Sequence, residues 1–211
     1  MNLVGLEGIS HEYPNRVVLA DVTIGVHAGD RIGVVGRNGD GKSTLLSIIG
    51  GTLVPDSGRV TVRGGIRIGT LTQDDEFDDS ATVAQTVVGE GPEHEWAGNP
   101  VIRAVLTGLL SDVDVSATIG SLSGGQRRRT ALARLLVGDW DVLLLDEPTN
   151  HLDVSGVSWL AEHLNRRWKS SDGALVVVTH DRWFLDAIST ETWEVHDGTV
   201  DRFEGGYAAY I

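Results

Sequence analysis

With 211 residues, 41% of them hydrophobic, and 27 glycines, the chain can bury a substantial core and reads as an α/β protein rich in strand-to-helix turns. It has no cysteine, which excludes disulfides, thiolate zinc sites and cysteine nucleophiles. Thirty acidic against 17 basic residues give a net charge of −13, so the average surface repels phosphate backbones and a general nucleic-acid-binding face is not expected.

Residues 2–10 and 17–26 alternate apolar and polar side chains about Tyr13-Pro14-Asn15, which predicts a strand pair with a turn. Residues 31–35 form a short β-branched strand. Glycines follow it, then a helical run over 42–49. Residues 59–63 and 66–71, on either side of Gly64-Gly65, predict a second hairpin that leads to Gln73. From 82 to 137 the pattern turns helical, with helices expected over 101–110 and 125–137. Strands at 142–145 and 174–178, helices at 155–168 and 181–187, and closing strands at 191–196 and 199–203 return the chain to alternating α/β, which implies a mainly parallel sheet. No run approaches the roughly 18 apolar residues of a membrane span, and residues 1–10 carry no basic-then-apolar leader. The chain is therefore expected in the cytoplasm, with no membrane insertion of its own.

Gly36-Arg37-Asn38-Gly39-Asp40-Gly41-Lys42-Ser43, followed by Thr44, has the spacing of a phosphate loop between a strand and a helix. Glycines let amide N–H groups converge on phosphate oxygens, the helix turns its positive end toward them, and Lys42 adds a cation. Ser43 can offer its hydroxyl oxygen to Mg²⁺. Four apolar residues, 142–145, deliver Asp146 and Glu147 to the carboxyl end of a strand. Asp146 suits a magnesium site, and Glu147 suits the orienting or deprotonation of an attacking water. Arg127, Arg128 and Arg129 are a local basic run, read as solvated or structural.

Leu122-Ser123-Gly124-Gly125-Gln126 resembles the signature loop of the ATP-binding-cassette (ABC) superfamily, and the resemblance extends along the whole chain. It implies a P-loop NTPase of α/β class with a mainly parallel core sheet, an antiparallel β subdomain and a small helical subdomain. One domain over 1–211 is expected, with 1–81 and 139–211 as the catalytic core and β subdomain and 82–138 as the helical part. By the same resemblance, Tyr13 stacks on adenine, Gln73 is a metal and water ligand, and His180 bonds the γ-phosphate. Ser123, which opens a helix, forms with Gly124, Gly125 and Gln126 a second anion site for ATP held by a facing cassette. ATP and Mg²⁺ are the implied ligands, with slow hydrolysis by the domain alone.

Several stretches resemble the ABC-F branch of this superfamily: Glu147-Pro148-Thr149-Asn150-His151-Leu152-Asp153, His180-Asp181-Arg182-Trp183-Phe184-Leu185, and Phe203-Glu204-Gly205-Gly206-Tyr207 onward. Val157-Ser158-Trp159-Leu160 is most similar to its Uup-like group. The branch implies a first cassette closing head to tail on a second, in the same polypeptide or a homodimer, and acting on the ribosome or tRNA. Branched DNA ranks lower as a partner. The alternative is the energy-coupling subunit of a membrane transporter. The interval from Gln73 to the signature has the length of ordinary cassettes, so contacts of the branch's long helical arm do not carry over. Because the sequence stops where a linker would begin, it is expected to be a first domain or a fragment.

Overall fold

A computed structural model describes residues 1–72, 77–91, 96–169 and 172–210. The chain divides into two compact units. The first comprises Met1–Thr70, Trp140–Pro148 and His163–Ile211, the second Leu71–Asp139 and Thr149–Glu162.

In the first unit, β1 (Asn2–Tyr13) and β2 (Arg16–His27) form an antiparallel hairpin, and β4 (Ser57–Val62) pairs with the other edge of β1. A six-stranded sheet has the order β5-β6-β7-β3-β8-β9. Its members are β3 (Arg31–Val35), β5 (Ile68–Leu71), β6 (Val142–Asp146), β7 (Ala174–Val178), β8 (Glu191–His196) and β9 (Thr199–Glu204). Strands β6, β7, β3 and β8 run parallel, and β9 returns antiparallel to β8. β3, β6 and β7 are buried along their entire length, as expected of central parallel strands covered on both faces. Their side chains join those of the β1–β2 hairpin and of α1 (Lys42–Ile49) in one core around Val34, Leu45, Val176 and Trp193.

The expected hairpin over 59–63 and 66–71 does not form: β4 joins the three-stranded sheet and β5 the six-stranded one. The Arg67 N–H donates to Asp141 Oδ2 at 2.7 Å and the Asp141 N–H to Arg67 O at 2.8 Å, which steers the chain after Gly64-Gly65 to the side of β6.

The second unit is helical. α2 (Val83–Val88) opens on a capping box between Thr82 and Gln85, and α3 (Pro100–Leu110) on Asn99 with proline in its first turn. α4 (Gly124–Val137) packs against both. α5 (Val154–Arg166) begins in this unit and ends in the first, while α6 (Arg182–Ile188) and the short α7 (Tyr207–Tyr210) belong to the first.

Candidate active site

The loop after β3 turns on glycines in conformations that side chains rarely adopt, φ being 144° at Gly36, 85° at Gly39 and 105° at Gly41. A Cβ at Gly36 would fall 2.3 Å from the carbonyl oxygen of Val195. Gly41 opens α1 with no side-chain cap, and among the described residues no side chain accepts from the first-turn amides. Lys42 is 7% exposed, and its Nζ donates to the carbonyls of Gly36 and Arg37, each at 2.9 Å. Among the described residues no carboxylate lies within ion-pair reach of it. A buried ammonium that donates to two carbonyls, beside uncapped helix amides, suits an anion. Ser43 is exposed. Thr44 is buried, with its hydroxyl 3.2 Å from that of Tyr13.

Strand register sets the remaining groups. Asp146 is level with Val178, and Val178 with Val34, so Glu147, Thr179-His180 and the Gly36 loop all leave the sheet at one edge. Asp146 is 6% exposed. Glu147 adopts a left-handed backbone, φ 49°, held by its N–H to Val178 O at 2.8 Å. Its Oε1 lies 3.5 Å from His180 Nε2, which is also 3.2 Å from Asn38 Oδ1. The Ser43 hydroxyl and the Asp146 carboxylate are oxygen donors of the kind magnesium prefers, and with the uncapped loop they fit a metal–polyphosphate ligand. Gln73 lies outside the described residues.

Tyr13 is half-exposed and borders a cavity of ≈ 520 Å³ with Asn15, Arg16 and Asp56. His11 meets its ring edge-on, centroids 5.1 Å apart.

In the helical unit, Ser123 Oγ accepts the Gln126 N–H at 3.3 Å, and Gln126 Oε1 accepts the Ser123 N–H at 3.0 Å. A Cβ at Gly124 would meet nothing within 4 Å, and one at Gly125 would touch His151. The arginine run after this turn is structural. Arg127 pairs with Asp79 at 2.7 Å, Arg128 reaches the carbonyl of Thr72, and Arg129 forks onto Asp112 at 2.6 and 2.8 Å. The guanidinium holds the Asp112 carboxyl well below the usual range, to about 2. Asp153 caps α5 by accepting the Gly156 N–H at 2.7 Å, which lowers its pKa.

Tyr13, Gly36, Asn38, Gly39, Gly41, Lys42, Ser43, Thr44, Asp146, Glu147 and His180 thus all fall in the first unit, and Ser123, Gly124, Gly125 and Gln126 in the second. Sequence reasoning missed Arg16 and Asp40, joined at 2.7 Å. The available signal was a carboxylate inside an anion-binding loop, a charge out of place.

The profile of the family described as ABC transporter matches residues 19–150. The chain is 34% identical over 210 residues to the ribosome protection protein VmlR of Bacillus subtilis, covering 99% of this chain and 34% of VmlR. It is 33% identical over 252 residues to ABC transporter F family member 5 of Arabidopsis thaliana, covering 99% of this chain and 36% of the relative. The chain therefore spans about a third of the length of these relatives. Its fold matches, with a TM-score of 0.81 at 23% identity, a dimeric ATP-binding cassette in a post-hydrolysis state bound to ADP and Pi, covering 96% of this chain and 98% of that one.

Proposed function

The chain belongs to the ABC transporter family, and from that premise we propose that it is the ATP-hydrolysing cassette of a protein of the ABC-F kind. ATP lies with its phosphates over residues 36–44, Tyr13 against the base, and Lys42 between the terminal phosphates. Asp146 and Ser43, with Gln73 by the family resemblance, would hold magnesium, which would offset charge on the phosphate oxygens. Glu147 orients a water and takes its proton, while His180 steadies the γ-phosphate. The observation that carries this reading is the strand register, which brings Glu147, His180 and the Gly36 loop to one sheet edge with Glu147 and His180 3.5 Å apart.

Ser123, Gly124, Gly125 and Gln126 serve a second nucleotide, held by a facing cassette in head-to-tail closure. The two units of this chain are the core and helical lobes of that cassette. The Glu147–Asp153 stretch and the names of two relatives, one a ribosome protection protein and one an F family member, favour a role at the ribosome. One observation favours the second reading, a transporter's coupling subunit. It is a cavity of ≈ 990 Å³ in the helical unit, bordered by Pro100, Thr107, Leu109 and Trp159, where a partner's helix could seat.

Glu147→Gln keeps MgATP binding, lowers turnover at least about a hundredfold and elutes as an ATP-dependent dimer. A variant that stays monomeric with unaltered turnover overturns the mechanism. ATP-dependent co-sedimentation with ribosomes separates the ABC-F reading from the transporter reading, which calls for recovery with membranes.

A further inference from the structure

The phosphate loop contains a buried carboxylate. Asp40 is 8% exposed, and both its oxygens are engaged: Oδ2 accepts the Arg37 N–H at 2.9 Å and Oδ1 the Arg16 guanidinium at 2.7 Å. Arg16 begins β2, three residues beyond Tyr13, and its side chain is 54% exposed. It lies across the loop so closely that a Cβ on Gly39 would come within 2.8 Å of Arg16 Nη1. The same residue borders the cavity beside Tyr13. One guanidinium therefore spans the base-side hairpin and the phosphate loop.

A desolvated negative charge inside a loop that must receive a polyphosphate repels its ligand, and the repulsion grows with ligand charge. Lys42 makes no ion pair with Asp40: among the described residues its Nζ donates to the carbonyls of Gly36 and Arg37. The Arg37 amide contributes a dipole and no net charge. Arg16 is the cation in contact with Asp40, and its other N–H groups have no partner among the described residues.

The geometry points to Arg16 as a positioning residue of the nucleotide site, which cancels the Asp40 charge in the phosphate loop and ties the Tyr13 hairpin to it. This rests on the reading that residues 36–44 bind ATP. Arg16 acts through Asp40. Removing the guanidinium leaves an uncompensated carboxylate within the phosphate loop, and removing the carboxylate's charge as well relieves the fault.

Titration of wild type, Arg16→Ala, Asp40→Asn and the double variant with MgATP, MgADP and AMP tests this, with thermal melting of each free protein as a check on folding. Arg16→Ala is expected to weaken MgATP binding on the order of tenfold, MgADP less and AMP least. Asp40→Asn, which keeps an acceptor for the Arg37 N–H, should bring the Arg16→Ala protein back to within about threefold of wild type. A loss equal for all three nucleotides, no loss at all, or a double variant as weak as Arg16→Ala overturns the assignment. Failure of the wild type to bind MgATP would instead sink the nucleotide reading itself.

Discussion

Glu147 holds a left-handed backbone that an L side chain adopts at a cost of about 1–3 kcal/mol. Its N–H bond to Val178, next to the fully buried β6 and β7, keeps it there and sets its carboxylate toward His180. At Gly108 in α3 the constraint is steric: a Cβ would fall 2.2 Å from the Trp159 ring. Gly108→Ala is expected to destabilise the protein by about 1–3 kcal/mol, read from urea unfolding. Adding Trp159→Leu should recover part of that loss. An alanine variant as stable as wild type would show that the ring yields freely.

At the scale of elements, Ser123 serves a helix and, in the proposed function, a ligand. Its reciprocal bonds with Gln126 form a capping box on α4, so Ser123→Ala should cost about 1 kcal/mol. Ser123→Asp keeps a capping acceptor and should restore stability, yet its charge repels a facing γ-phosphate and should abolish ATP-driven association. Melting curves and elution volumes with ATP separate the two, and an aspartate variant that still dimerises contradicts the second anion site. Much of this level was legible beforehand. The bounds of β3, α1, β7 and β8 follow from buried apolar runs and from a helix after glycines. The hairpin expected at Gly64-Gly65 fails because local alternation cannot tell which sheet a strand joins. Asp141, far along the chain, decides that for β5. The glycine loop before α1 and the delivery of Asp146-Glu147 at the end of β6 are legible as contiguous motifs. The Arg16–Asp40 pair is not, because it exists only once the β1–β2 hairpin lies over the loop.

For the molecule as a whole, pH dependence has an identifiable source in His163. Burial, assisted by the charge of Arg167, pushes its pKa down to about 4, below its unfolded value of about 6.5. The unfolded chain therefore binds the extra proton first. The neutral histidine's contribution is complete above about pH 6.5 and is lost as pH falls through about 4. His163→Gln should flatten the fall in melting temperature across that window. An unchanged profile would place the acid sensitivity elsewhere. Asp112 protonates lower, near 2, and does not confuse the test.

The six-stranded sheet is also a timetable. Arg31 on β3 pairs with Leu175, and Ile32 with Glu191, so both neighbours of β3 are made well over a hundred residues after it. At translation speeds of roughly 5–20 residues per second, β3 waits on the order of ten to thirty seconds for them. The strands β1, β2 and β4 need no such delay, since each finds its partner within the first stretch of chain. A nascent chain would hold its antiparallel sheet early while β3 and then β6 lay open to chaperones. The loop would gain its final shape, braced at Gly36 against Val195, only as β8 arrived.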